Sequence, residues 1–215
     1  MLYSEERKKM CEIVKTMFDR FQTNAAGGNL SLKVSDKHFI MTPTLMSQNY
    51  RCDLSPFQIL VVDKELNIIE GEGRLTREIN MHMACYEENP AINCVIHAHA
   101  KESMVWASMG KDMPNITEAT QKIGDIPCLD YRPATSPELA ALVRDTIAER
   151  DADKIPAGLL LERHGLVVAD KSLEKAYDMV ERIEYNAYVA YKMYLLSKVG
   201  ENIDFQKDYH YNLDE

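Results

Sequence analysis

The chain has 215 residues, 46% of them hydrophobic and 27% charged, with a formal net charge of -9; that is enough for a sizeable core in one large domain or two small ones. Lys and Arg are outnumbered and nowhere clustered, which argues against a nucleic-acid surface, because a phosphate backbone is held mainly by clustered cations. No stretch approaches a membrane span and the start "MLYSEERKKMCEIVK" lacks the apolar core of a signal peptide, so a cytoplasmic protein with small molecules or other subunits as partners is expected.

In chain order, Glu5 to Phe21 carries Met10, Ile13, Val14, Met17, Phe18 and Phe21 at helical spacing. This helix is expected to stop at "NAAGGN", where Gly27 and Gly28 suit a helix end and a tight turn. Leu30, Leu32 and Val34 then alternate with Asn29, Ser31 and Lys33 as in a half-buried strand. "HFIMTPT", "ILVVD" and "LNIIEGEG" read as three more strands. "LTREINMHMACYEENP" reads as a helix with Thr76 as N-cap and Ile79, Met83 and Tyr86 on one face. A strand at "CVIHAHA" and a short helix around "ESMVWASMG" follow. "SPELAALVRDTIAER" is a helix capped by Ser136 with Pro137 in its first turn. "GLLLERHGLVVAD" gives two short strands broken at "RHG", and "SLEKAYDMVERIEYNAYVAYKMYLLSKV" a long amphipathic helix. Strands mostly follow strands before the helices close over them, which predicts one α/β domain over residues 1–215 with a mixed, largely antiparallel central sheet flanked by helices. Cys11, Cys52, Cys85, Cys94 and Cys128 form no C-x-x-C pair and sit mostly in apolar settings, as reduced buried thiols do.

In "CVIHAHA" strand alternation points His97 and His99 the same way. Two imidazoles on one face make half a metal site; surface pairs and hydrogen-bonded core histidines fit the same pattern. His164, at the edge of the apolar pair "LLLERHGLVV", is the natural third ligand, with Gly165 beside it to let the backbone turn sharply. Three imidazoles with an open position describe a catalytic zinc site better than a structural one, and a strand-end histidine bonded to a carbonyl is the simpler alternative. Glu78 falls in the first turn of the helix that leads into the histidine strand, where the helix dipole favours an anion. His82, one turn further on the same face, is assigned to packing or to a hydrogen bond behind the site.

Taken in order, "AAGGNLSLKV", "FIMTPT", "LTREINMHMACYEENPAINCVIHAHA" and "LLLERHGLVVADKSLEKAYDMVERIE" resemble the class II aldolase/adducin family over nearly the whole chain, most closely its L-fuculose-phosphate aldolase type. The resemblance implies that His97, His99 and His164 hold one Zn2+ per subunit, and that Glu78 is both a ligand when no substrate is present and the catalytic acid/base. It implies cleavage of a ketose 1-phosphate, with L-fuculose 1-phosphate leading, to dihydroxyacetone phosphate and a short aldehyde such as L-lactaldehyde. A Lewis-acidic ion and an adjacent carboxylate suit that chemistry, because the enediolate left behind needs charge compensation and a proton. Same-family sugar-phosphate epimerases and dehydratases are the alternative, although the epimerases carry aspartate where this chain has Glu78. A non-catalytic adducin-like binding module is a further one, but that branch loses the metal ligands.

By position in the family pattern, Asn29, Thr44 and Thr76 bind the substrate phosphate. Leu45 stands where the pattern has glycine, and Arg77 where it has serine; Arg77 either adds a charge-assisted bond to the phosphate or is an ordinary surface charge. Glu118 takes the place of an expected tyrosine and is the candidate second acid/base, together with Tyr209 of the tail "DYHYNLDE", which the family uses across a subunit boundary. The resemblance also implies a homotetramer with intersubunit active sites. Tyr185, Tyr188, Tyr191 and Tyr194 give the last helix more aromatic surface than one buried stripe needs.

Overall fold

The computed structural model of the chain describes residues 1–150 and 155–200. Its strands are β1 (Asn29–Lys33), β2 (Phe39–Met41), β3 (Leu60–Val62), β4 (Ile68–Glu70), β5 (Cys94–Ala98), β6 (Cys128–Leu129), β7 (Ala157–Leu161) and β8 (Gly165–Asp170). They form one eight-stranded sheet in the order β4-β3-β2-β1-β5-β8-β7-β6. Every neighbouring pair is antiparallel except β6 with β7, so the sheet is mixed and largely antiparallel as the sequence predicts.

The helices are α1 (Ser4–Asp19), α2 (Met46–Tyr50), α3 (Ile79–Glu88), α4 (Ser103–Met109), α5 (Pro137–Ala148) and α6 (Leu173–Lys198). Strand alternation sorts the sheet into two apolar faces. Leu30, Ile96, Leu166 and Val168 pack with Met10 and Val14 of α1, Trp106 of α4 and Ile183 of α6. Val95, Leu159, Val167 and Ala169 pack on the other side with Met81 and Cys85 of α3 and Val143 of α5. Burying each such aliphatic side chain contributes roughly 1.5–3 kcal/mol, which is what holds the helices to the sheet. Ser136 and Ser172 cap α5 and α6 by accepting hydrogen bonds from the Leu139 and Lys175 N–H groups. Among the described residues no helix is long and apolar enough to cross a membrane.

Three expectations are corrected. α1 ends at Asp19, well before Gly27 and Gly28, which lie instead in the loop leading into β1. α3 starts at Ile79 with Glu78 as its N-cap residue; its fully buried face holds Met81, His82, Cys85 and Tyr86, and Ile79 and Met83 pack half-buried at the edge of that core. Thr76 still helps to start that helix, because its Oγ1 accepts the Glu78 N–H at 3.3 Å. Finally, Asn29 and Ser31 are buried beneath α3, not solvated; their partners there are polar.

Arg7 is fully buried inside α1. Its guanidinium donates to Pro56 O at 2.7 Å, Phe57 O at 3.1 Å and Leu2 O at 3.2 Å, and pairs with Glu70. It ties the N-terminal helix to the β4 edge and is far from the site described next.

Candidate metal centre and active site

The central strands converge on one end of the sheet. Asn29 of β1 lies directly opposite His97 of β5, and His97 opposite Val167 of β8. His99 follows β5 immediately, and His164 closes the turn from β7 to β8, where Arg163 takes the left-handed conformation at φ 59°. That turn depends on Arg163. Gly165 itself has no left-handed backbone, and its need is spatial: a Cβ there would sit 2.6 Å from Ala98 O and 3.0 Å from His97 Cε1. Gly27 serves the neighbouring ring in the same way, since a Cβ would come within 3.1 Å of His99 Cε1.

The three imidazoles therefore stack edge to face, with ring centroids 4.8 to 5.5 Å apart. His97 Nε2 and His99 Nε2 are 3.1 Å apart, while Glu78 places Oε2 3.3 Å from His97 Nε2 and Oε1 3.1 Å from His164 Nε2. His97 donates from Nδ1 to Leu166 O at 3.1 Å, so its Nε2 turns a lone pair to the centre. Burial pushes His97 down to about 4 and, with the charge of its neighbours, His99 to about 3, so both rings are neutral bases at neutral pH. Burial alone would raise Glu78, but the adjoining His97 and His164 rings and the Asn29 amide hold its carboxyl below the usual carboxylate range. Among the described residues, Glu78 Oε1 is buried without a hydrogen-bond donor.

This donor set fits a cation. His97, His99 and His164 offer nitrogen atoms all within 4.8 Å of one another, and nitrogens around a tetrahedral ion with bonds of about 2.0–2.1 Å lie roughly 3.3 Å apart. Glu78 adds an anionic oxygen at the same point.

A cleft of about 200 Å3 opens from the cluster. Asn29, Thr44, Thr76 and Arg77 line it together with Glu78, His99 and His164, so every residue of the expected phosphate set borders the same cleft. Leu45 lies there with φ 60°, the backbone conformation that glycine takes most readily. Arg77 is exposed and, among the described residues, has no hydrogen bond or ion pair. Ala134 and Thr135, from the loop before α5, also line the cleft and were not singled out by the sequence. A larger open groove of about 940 Å3 lies at the opposite end of the sheet, beside the start of α6; charges of both signs line it and no unsatisfied atoms converge there among the described residues.

One expected residue is not brought in. Glu118 is exposed at the start of a 3-10 turn that packs on α6 and does not line the cleft of its own chain. Tyr209 lies outside the described residues. His82 is no metal ligand: it is wholly buried, and its ring nitrogens meet Ser31 Oγ at 2.7 Å and Asn29 Oδ1 at 2.5 Å. Burial lowers its pKa to about 4, which keeps the ring neutral.

A family model described as the Class II Aldolase and Adducin N-terminal domain matches residues 8–191. The chain belongs to this family. Within the class II aldolase/adducin family, an L-fuculose phosphate aldolase from Methanococcus maripaludis is 31% identical over 183 residues, 85% of this chain and 94% of its own. A 3-oxo-tetronate 4-phosphate decarboxylase from Escherichia coli is 26% identical over 187 residues, 84% of each chain. The solved structure of an L-fuculose 1-phosphate aldolase superposes with a TM-score of 0.78 and 25% identity, over 94% of this chain and 91% of that one.

Proposed function

We propose that this protein is a metal-dependent aldolase that cleaves a ketose 1-phosphate, with L-fuculose 1-phosphate as the leading substrate, to dihydroxyacetone phosphate and L-lactaldehyde. The observation that carries the reading is the convergence of three imidazoles and the Glu78 carboxylate, whose Oε1 lacks a donor among the described residues, beside a cleft lined by side chains that can donate hydrogen bonds to an anion. His97, His99 and His164 would hold the ion, which we take to be Zn2+ because three imidazoles with an open position match a catalytic zinc site. When bound, the ion polarises the ketone and offsets the negative charge that builds on its oxygen.

The remaining steps belong to the chain. Asn29, Thr44 and Thr76 offer hydrogen-bond donors to the phosphate, and Arg77 supplies the cation that they lack. The substrate C4 hydroxyl gives up its proton, the C3–C4 bond breaks to release the aldehyde, and its electron pair is left on the C2–C3 enediolate. Glu78 Oε1, held ionised and free of donors, takes a proton from a hydroxyl group and returns it to the enediolate carbon. Glu118 and Tyr209 reach this chemistry only from a neighbouring subunit in our reading, as the second acid/base. This gives a homotetramer, with the exposed Tyr185, Tyr188 and Tyr194 as candidate contact surface. A cytoplasmic setting follows from the same reading.

Decarboxylation of a phosphorylated 3-oxo acid is the second reading, favoured by the decarboxylase relative. Loss of CO2 beside a ketone leaves the same kind of enediolate, and the unpaired Arg77 guanidinium suits a carboxylate as well as a phosphate. A panel of ketose 1-phosphates, ketose 5-phosphates and phosphorylated 3-oxo acids, assayed for dihydroxyacetone phosphate and for CO2, tests both. Dihydroxyacetone phosphate released together with an aldehyde and without CO2 supports the aldolase; CO2 released from the phosphorylated 3-oxo acid, with the decarboxylated ketose phosphate as its co-product, supports the decarboxylase.

A further inference from the structure

Behind Glu78 runs a buried series of side-chain hydrogen bonds. Tyr86 Oη meets Ser31 Oγ at 2.7 Å, Ser31 Oγ meets His82 Nδ1 at 2.7 Å, His82 Nε2 meets Asn29 Oδ1 at 2.5 Å, and Asn29 Nδ2 meets Glu78 Oε2 at 2.9 Å. The series arises from matched repeats. Glu78, His82 and Tyr86 recur every four residues, about 6 Å along α3, and Asn29 and Ser31 are two residues apart, about 6.6 Å along β1. Helix and strand thus pair polar residue with polar residue over the whole contact.

Its direction is fixed by what each group can do. An ionised carboxylate only accepts, so Asn29 must turn its NH2 to Glu78 and its Oδ1 to His82. An amide oxygen also only accepts, so His82 must carry its proton on Nε2. Its Nδ1 then accepts from the Ser31 hydroxyl, whose oxygen accepts from the Tyr86 phenol. Reversing the Asn29 amide would set its oxygen against the Glu78 carboxylate, and reversing the Ser31 hydroxyl would leave His82 Nδ1 without a donor, in a buried, low-dielectric place where an unmatched polar group is costly.

We propose that Tyr86, Ser31 and His82 are positioning residues: a one-way donor chain that locks the Asn29 amide onto Glu78 Oε2 and leaves Oε1 as the oxygen that handles the proton. The proposal rests on Glu78 being the acid/base of the proposed reaction. An amide nitrogen has two hydrogens, so the same lock keeps a second Asn29 N–H for the cleft it lines.

Nitrogen-15 NMR of the metal-loaded, histidine-labelled protein reads the lock without substrate. His82 is expected as a single neutral tautomer with the proton on Nε2. In kinetics, His82→Leu should lower kcat on the order of 10- to 100-fold, with ion content close to wild type, because outer hydrogen-bond partners of a site typically matter by that factor. His82→Gln keeps an N–H for Asn29 and should recover part of the loss. A proton on Nδ1, a His82→Leu enzyme with wild-type kcat, or Gln and Leu variants equally impaired would overturn the proposal. If none of the phosphorylated substrates reacts, it is the proposed function that fails, and the tautomer still decides whether the chain exists.

Discussion

Arg7 and the histidine cluster are both polar groups sunk in the molecule, and they differ in whether their bonding capacity is met. The Arg7 guanidinium spends its donors on three backbone carbonyls and Glu70. At the cluster, the His97 Nε2 lone pair faces His99 Nε2 at 3.1 Å and, among the described residues, Glu78 Oε1 has no donor. A cation at that point would meet both groups. Burial of polar groups therefore does not mark the site here. Unmet capacity gathered beside His97, His99 and His164 does.

That contrast can be broken by substitution, and the largest effect is expected at the ligands themselves. His97→Ala, His99→Ala or His164→Ala should each abolish ion retention and activity while circular dichroism shows the sheet intact; normal metal content by elemental analysis would remove that residue from the set. Glu78→Gln should retain fold and ion, yet lower kcat by about 10²- to 10⁴-fold, since an amide cannot shuttle a proton. Steady-state turnover within a few-fold of wild type would reassign the base.

Two smaller effects sharpen the contrast between contact and support. Gly165→Ala would press a methyl group on Ala98 O and His97 Cε1, and metal affinity measured by chelator competition should fall on the order of 10- to 100-fold. Arg77→Ala should raise KM for the phosphorylated substrate roughly tenfold, about 1.4 kcal/mol, with kcat little changed, as for an anchor that binds ground and transition states alike. Equal KM values would return Arg77 to the role of a surface charge. At the satisfied region, Arg7→Met should cost about 3–5 kcal/mol in urea unfolding by stranding its partners, and leave kcat per folded molecule unchanged.

The parts of the site that were legible in the sequence are those whose chemistry shows in a local pattern. His97 and His99 stand out because alternation fixes their common side, and Ser136 because capping is local. The mixed antiparallel sheet follows from runs of strands joined by short turns. Asn29 and Ser31 read as solvent-facing because polar residues alternating with leucines look amphipathic; nothing local says that His82 and Tyr86 of α3 will cover them. The same blindness misplaced the start of α3, since its buried face is partly polar and apolar periodicity passes over it. Arg7 was invisible for a like reason: its partners are backbone carbonyls distant in the chain. Gly165 was noticed, but as a turn residue, whereas its neighbours set the limit by contact.

The most direct measurement is the divalent-metal content of the purified protein, with cleavage of a ketose 1-phosphate followed as the ion is removed by chelation and restored. One ion per chain is expected, with release of dihydroxyacetone phosphate lost on chelation and regained on addition of Zn2+. Full activity in protein shown by elemental analysis to be free of metal would contradict the central claim that the cluster of His97, His99, His164 and Glu78 is a catalytic metal centre.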